Sequence, residues 1–126
     1  MKKIINTSNA PAPIGPYNQA ILSNGTLYIS GQIPLNPKNG ELVSGDIKKE
    51  TKQSMENLKA ILTEAEMTFE NVVKSSIFLS DMKQFTEVNE VYASYFNAET
   101  APARETVEIA NLPKFVNVEI SMIAVK

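Results

Sequence analysis

The sequence has 126 residues, of which 43% are hydrophobic and 21% charged, and its formal net charge is −2. This length fits a single domain over residues 1–126 with a core of ordinary size. Cysteine and histidine are both absent, which excludes disulfides, thiolate nucleophiles, zinc–thiolate sites and catalysis by histidine. The small negative net charge gives no general affinity for nucleic acid or for anionic membranes.

No segment has the pattern of a membrane or export protein. No stretch approaches the roughly 20 apolar residues that a membrane span needs. The two lysines near the beginning of the sequence are not followed by a long apolar run, as they would be in a signal peptide. We therefore expect a cytoplasmic protein. Calcium-binding and Walker-type phosphate loops are also absent, so the motifs indicate no metal.

The first clear element is a β-hairpin that follows an N-terminal strand. Asn24-Gly25 joins its two arms, and this pair is typical of two-residue hairpin turns because both positions tolerate positive φ. We predict that the second arm continues to Ile33. By alternation its two faces carry Leu27, Ile29, Gly31 and Ile33 on one side and Tyr28, Ser30 and Gln32 on the other.

Two helices and an intervening strand are predicted next. The first helix runs from Asp46 to Ala65, with apolar residues at helical spacing: Ile47, Met55, Leu58, Ile61, Leu62 and Ala65. The strand covers Val72 to Leu79, with Val73, Ile77 and Leu79 on one face. The second helix runs from Lys83 to Asn97, and we expect these residues on its buried side: Phe85, Val88, Tyr92, Tyr95 and Phe96.

Two strands, Ala103 to Ile109 and Val116 to Val125, complete the predicted order. In the last strand Val118, Ile120 and Met122 alternate with Asn117, Glu119 and Ser121. Since strands and helices do not alternate strictly, we predict an α+β fold, in which one sheet is covered on one face by two helices. The other face then needs cover, which makes an oligomer the expected state.

The sole arginine is the strongest candidate for a functional residue. Eleven of the twelve basic residues are Lys and only Arg104 has the planar fork that grips a carboxylate with two hydrogen bonds. By alternation Arg104, Thr106 and Glu108 share one face of their strand. Glu119 is predicted on the neighbouring strand, so the pattern fits an anion site with a proton-handling group. A surface Arg104–Glu119 ion pair, worth about 0–1 kcal/mol, fits the pattern equally well.

Four stretches of the sequence resemble those of the Rid family (RidA/YjgF, the reactive-intermediate deaminases). They cover residues 10–20; 29–34 with 40–43; 53–58 with 73–82; and 102–104, 107–113 and 118–120. The resemblance implies a chorismate-mutase-like α+β fold and a homotrimer with active clefts between neighbouring subunits. It also implies a cofactor-free hydrolase that converts 2-iminoalkanoates, from enamines released by amino-acid dehydratases, to 2-keto acids and ammonia.

The resemblance also implies site residues. Arg104 would hold the carboxylate of the imino acid, and Glu119 would position or activate water, or handle the proton. Tyr17 and Ser30 would line the pocket with hydroxyls. Taken singly, Tyr17 could instead be a core residue and Ser30 an ordinary strand residue.

The resemblance implies roles for further residues, and for Gly31 and Asn89 an ordinary structural role is also open. Gly31 would let the backbone approach the substrate, or it could mark a β-bulge. Asn89 would reach the edge of the cleft, or it could be a solvated helix residue. Thr106 would also help to bind the substrate, and it stands where the family often has Cys, so cysteine chemistry is not required in this chain. Glu105 replaces a small residue, and a local twist could bring it into competition for Arg104.

Two other functions remain open. The first is a non-catalytic protein on the same scaffold that binds small carboxylates or acts like a chaperone, a possibility motivated by Glu105. The second is a ribonuclease, an activity sometimes attributed to this family. One arginine and a net charge of −2 offer little for phosphates to bind, so we expect no nucleic-acid partner.

Overall fold

A six-stranded mixed β-sheet and two α-helices make up the computed structural model, which describes residues 1–126. The elements in chain order are β1 (Lys2–Ile5), β2 (Ala20–Ser23), β3 (Thr26–Gln32), α1 (Ile47–Glu64), β4 (Val72–Leu79), α2 (Phe85–Ala93), β5 (Ala103–Glu108) and β6 (Val118–Val125). The spatial order of the strands is β1-β2-β3-β6-β4-β5. The last strand of the chain therefore lies in the middle of the sheet.

Both helices cover the same face of the sheet, as predicted. Strands β3 and β4 are each antiparallel to β6, so they run parallel to one another, and β4 is also parallel to β5. Each helix thus connects two parallel strands, and both connections move across the sheet in the same direction. Because such crossovers are almost always right-handed, two that move in one direction place their helices on one face.

The start of α1 follows from its sequence. Asp46 is the N-cap, with an extended backbone, and its carboxylate accepts hydrogen bonds from the backbone N–H of Lys48 at 2.9 Å and of Lys49 at 3.4 Å. A cap of this kind contributes about 1 kcal/mol. The predicted apolar stripe of α1 is buried throughout, which fixes the helix against β3 and β6.

A bulge in β3 makes one sequence-based prediction wrong. Ile29 pairs with Met122 and Gln32 with Ile120, so two residues of β3 stand opposite one residue of β6. The extra residue reverses the alternation: Gln32 is buried on the helix side and Gly31 is exposed. The strand also ends at Gln32 rather than at Ile33. The alternative interpretation of Gly31 as part of a bulge is therefore confirmed.

A second irregularity corrects the prediction for β4. Val72 pairs with Ala124 and Lys74 with Ile123, which leaves Val73 as an extra residue. Val73 is consequently 44% exposed, and Val72 takes the buried position instead. Ile77 and Leu79 beyond the bulge are fully buried, as predicted.

The second helix is shorter than predicted and ends at Ala93. A 3-10 turn at Met82–Gln84 precedes it. After it, the N–H groups of Ser94, Tyr95 and Phe96 donate to carbonyls three residues back, so the chain continues in tight turns. The prediction of which side of this segment is buried is confirmed, because Phe85, Tyr95 and Phe96 pack against the core. The last two strands are also shorter than predicted, since β5 ends at Glu108 and β6 begins at Val118.

The sheet surface opposite the helices, called the open face below, is partly apolar and uncovered in a single chain. Ile4, Ile21, Tyr28 and Ile123 form one row of paired positions across four strands. Ile4 and Tyr28 are each about half exposed. Neither helix is sufficiently long and apolar to cross a bilayer.

Candidate active site

Arg104 lies on the edge strand β5, with its side chain over helix α2. Its Nη1 donates a hydrogen bond to Asn89 Oδ1 at 2.6 Å. The guanidinium carbon lies 5.0 Å from the centroid of the Tyr92 ring and 5.5 Å from that of Phe85. Such cation–π contacts and the Asn89 bond fix the plane of the fork. The side chain is exposed and takes no part in either ion pair of the chain, so it is free to bind an anion.

The surface beneath Arg104 is itself rigid. Phe85, Asn89 and Tyr92 are spaced four and three residues apart, which places them on one side of α2. Tyr92 is buried, and its hydroxyl lies 2.9 Å from Ser75 Oγ, also buried. Sequence reasoning identified Asn89 but treated Phe85 and Tyr92 only as core residues. Their helical spacing with Asn89 was the signal that could have grouped them.

Thr106 shares the helix side of β5 with Arg104. Its hydroxyl oxygen is buried and has no hydrogen-bond partner. A buried hydroxyl without a partner costs about 1–3 kcal/mol. The hydroxyl therefore has unused hydrogen-bonding capacity on the same face of β5 as Arg104. Arg104, Asn89 and Thr106 are called the arginine half-site below.

Glu119 does not lie beside Arg104, contrary to the prediction. Strand β4 separates β5 from β6, and Phe78 of β4 pairs with Val107 on one side and Glu119 on the other. Paired residues point to the same face, so Glu119 shares the open face with Val107, while Arg104 is on the helix side. A single chain therefore forms neither the predicted constellation nor the alternative Arg104–Glu119 ion pair.

Gly31 and Glu119 are in close contact at the β3 bulge. A Cβ built on Gly31 would stand 2.6 Å from Glu119 Oε1, which is closer than such atoms approach, so a larger residue at this position would displace the carboxyl from where it now lies. Glu119 is partly buried, and burial raises the pKa of its carboxyl above the usual range. A carboxyl of this kind changes protonation state more readily near neutral pH than an exposed one.

Tyr17 and Ser30 stand close to Gly31 in different roles. Tyr17 is 49% exposed and lines a cavity of about 40 Å³ together with Gly31, Ile14 and Lys114. Ser30 Oγ donates to the carbonyl of Asn18 at 2.6 Å, so its hydroxyl proton is used to hold the loop that carries Tyr17. Glu119, Gly31 and Tyr17 are called the glutamate half-site below.

Glu105 does not compete for Arg104. It points to the open face, where it accepts a hydrogen bond from the Ser76 hydroxyl and forms an ion pair with Lys74 at 2.9 Å. The Ser76 hydrogen bond, followed by Lys74, lowers the pKa of its carboxyl. No three His, Cys, Asp or Glu side chains are grouped so as to hold a metal ion.

Comparisons with known proteins show what the chain is similar to. The sequence model of a family described as Endoribonuclease L-PSP matches residues 7–126. A RutC family protein of Pyrococcus horikoshii is 53% identical over 100% of this chain and 99% of that protein. The 2-iminobutanoate/2-iminopropanoate deaminase of Mus musculus is 47% identical over 100% and 93%. The solved structure of E. coli TdcF with bound serine superposes with a TM-score of 0.92, at 40% identity over 98% of each chain.

Proposed function

Because the chain belongs to the Endoribonuclease L-PSP family, the YjgF/RidA family, we propose that it hydrolyses 2-iminoalkanoates such as 2-iminobutanoate and 2-iminopropanoate to 2-keto acids and ammonia. The mammalian relative bears the name of this activity. The observation that carries the proposal is the division of the site: a free, oriented guanidinium on one side of the sheet and a protonatable carboxyl on the other. The reaction needs both groups, and it needs no metal or organic cofactor.

The division of the site supports an oligomer as part of the proposal, and the homotrimer itself is what the resemblance to the family implies. Arg104 and Glu119 of one chain face opposite sides of the sheet, so a complete site requires two copies. The partly apolar open face supplies a surface for such contacts, because uncovered apolar patches mark interfaces. We therefore propose a cleft between neighbouring subunits, with the arginine half-site from one and the glutamate half-site from the next.

The chemistry divides between the two half-sites. Arg104 would hold the carboxylate of the imino acid through its fork, which places C2 for attack, and such placement can contribute several kcal/mol. Glu119 would take a proton from water as the water oxygen bonds to C2 and pass it to the imine nitrogen, which gives a carbinolamine. It would then move the proton of the carbinolamine hydroxyl to the nitrogen, so that the C=O bond forms as the C–N bond breaks and ammonia leaves. The products are the 2-keto acid and ammonia. The raised pKa of Glu119 suits both steps, which general acid–base catalysis typically accelerates 10²–10⁴-fold.

The decisive experiment is competition with a chemical trap. A dehydratase or amino-acid oxidase generates the imine in the presence of semicarbazide, and semicarbazone formation is followed with and without the protein. We expect the wild type to lower the amount of semicarbazone. Arg104→Ala should abolish this effect and leave the oligomeric state in light scattering unchanged. Lys83→Ala, which removes a cation outside both half-sites, should behave as wild type. Full turnover by Arg104→Ala would refute the assignment of Arg104.

The structure gives less support to the two alternative functions, non-catalytic carboxylate binding and RNA cleavage. Non-catalytic carboxylate binding was motivated by Glu105, which points away from Arg104 and is paired with Lys74. It would be favoured only by saturable keto-acid binding without turnover. The family description names an endoribonuclease, but this chain has no histidine and a single arginine. We expect no RNA cleavage that an Arg104 or Glu119 variant abolishes.

A further inference from the structure

The turn before β6 is strained in a way that places a lysine at the glutamate half-site. Lys114 and Phe115 both have φ of 55°, the left-handed region that residues other than glycine rarely adopt. Two such residues in succession persist only where the surrounding structure fixes them, and strain of this kind is concentrated at functional sites. The turn leaves Phe115 81% exposed and Lys114 beside Tyr17 and Gly31.

Lys114 is the only charged residue that lines the cavity shared with Tyr17 and Gly31. Its ammonium takes part in neither ion pair of the chain and donates no hydrogen bond. The other walls are mostly apolar, with Ile14, Ile33 and Leu35 among them. An unpaired ammonium beside low-dielectric walls attracts anionic ligands, and burial raises the pKa of Glu119, the carboxyl of this half-site, which disfavours its negative charge. The strained turn therefore presents an unpaired positive charge to any anion that approaches the glutamate half-site.

We propose that Lys114 captures the anionic substrate at the mouth of the cleft, before Arg104 of the neighbouring copy grips its carboxylate. This proposal rests on the proposed function, and it assigns to Lys114 a role in the binding of substrate before the chemical steps. A 2-iminoalkanoate carries a carboxylate and also hydrolyses in water without help. An enzyme for such a substrate gains from fast capture, which is measured by kcat/KM. Lys114 leaves kcat unchanged because it does not touch the reacting atoms.

The test compares charge removal with charge retention in the same turn. Lys114→Asn removes the ammonium, and asparagine tolerates left-handed backbone, so the turn is kept. Lys114→Arg retains the charge. Lys38→Asn, in an exposed loop away from this cavity, changes the net charge of the protein equally and serves as the control. kcat and kcat/KM are measured at about 20 mM and about 500 mM salt, since the Debye length shrinks from tens of ångströms to a few over such a range.

The expected pattern is specific. At low salt Lys114→Asn should lower kcat/KM about 3- to 10-fold, with kcat unchanged, and the difference should vanish at high salt. Lys114→Arg and Lys38→Asn should match the wild type. A Lys114→Asn protein with wild-type kcat/KM at low salt overturns the proposal, and so does a loss that persists at high salt.

A binding measurement separates this proposal from the deaminase assignment. Calorimetry with 2-oxobutanoate, the keto-acid product, is carried out on the wild type and on Lys114→Asn at both salt concentrations. If the wild type binds the keto acid without turning over the imine, the deaminase assignment fails, and Lys114 is judged on its salt-dependent effect on affinity. If the wild type turns over the imine and Lys114→Asn does so equally well, only the role of Lys114 fails. If the wild type neither binds nor turns over, both proposals are overturned.

Discussion

Arg104 shows how a single exposed side chain becomes an oriented ligand-binding group. An arginine on an edge strand would ordinarily sample many rotamers at a large cost in entropy on binding. Here one N–H group of Arg104 donates to Asn89, and the rings of Phe85 and Tyr92 lie 5.5 and 5.0 Å from its guanidinium carbon. The Arg104 side chain is therefore already ordered before a ligand binds, so binding loses less side-chain entropy. The remaining N–H donors of the guanidinium stay free for a carboxylate.

Gly31→Ala should remove activity without unfolding the protein. The new methyl group would stand 2.6 Å from Glu119 Oε1, so the carboxyl must move. We expect turnover in the trap assay to fall by about 10²-fold or more, the range that a displaced general acid–base costs, with wild-type circular dichroism. Gly15→Ala is the matched control, because its Cβ would meet only the Tyr17 ring at 3.6 Å. Wild-type turnover by Gly31→Ala would remove Gly31 from the site.

Tyr92 should act on Arg104 through its ring rather than its hydroxyl. Tyr92→Phe retains the ring but leaves buried Ser75 Oγ without its partner, so we expect the free energy of unfolding to fall by about 1–3 kcal/mol with KM unchanged. Tyr92→Leu removes the surface under the guanidinium, and we expect KM to rise several-fold more than in Tyr92→Phe. Steady-state kinetics and denaturant unfolding measure the two effects. A KM that rises equally in both variants would show that the ring has no positioning role.

At the level of elements, the first turn of α1 contains a buried acid outside both half-sites. Glu50 is 3% exposed, and its carboxylate accepts hydrogen bonds from Asn117 Nδ2 at 3.2 and 3.5 Å. Burial raises the pKa of Glu50, and the Asn117 hydrogen bond offsets this only in part. The folded chain therefore retains this proton at pH values where the unfolded chain has lost it.

The sign of the pH dependence follows from this difference. Below the unfolded pKa of about 4.3 the carboxyl is neutral in both states and costs nothing. Between the unfolded pKa and the raised folded pKa the unfolded chain loses this proton while the folded chain keeps it, so stability falls over that range of pH and stays lowered above it. Glu50→Gln should thus raise Tm by about 2–5 °C at pH 7 and change it little at pH 4. Calorimetry tests this, with the exposed Glu41→Gln as control. An increase in Tm of the same size at pH 4 and pH 7 would show that ionisation of Glu50 is not the cause.

Sequence reasoning succeeded for elements whose evidence is local. The Asn24-Gly25 turn, the apolar stripe of α1 and the alternation of β6 each depend on neighbours within a few residues, and the structure confirms all three. The sequence-based prediction failed at the two bulges, where one inserted residue breaks the alternation of buried and exposed side chains. Val73 and Gln32 therefore lie on the faces opposite to those predicted. It also treated β5 and β6 as neighbours because they are consecutive. The pairing of β6 with β3 and β4 rests on long-range contacts that periodicity does not reveal.

At the level of the whole molecule, the division of the site predicts complementation between inactive chains. Arg104→Ala and Glu119→Gln should each abolish turnover. When the two variants are unfolded together in equal amounts and refolded, some clefts combine an intact Arg104 with an intact Glu119 of the next subunit. With random assembly about a quarter of the clefts are complete, so about a quarter of wild-type activity should return. Mixing folded variants without exchange is the control. No recovery after refolding would place both groups in one subunit.

The central position of β6 governs how the chain can fold as it is made. Until β6 has been synthesised, β1–β3 and β4–β5 have no strand between them, and α1 lacks one of the two strands on which it packs. The nascent chain therefore presents two unfinished sheets with free edges, which are prone to pair with the wrong partner. The dependence on distant contacts also predicts slow folding for a chain of this size. The sheet is therefore completed only after β6 has been synthesised.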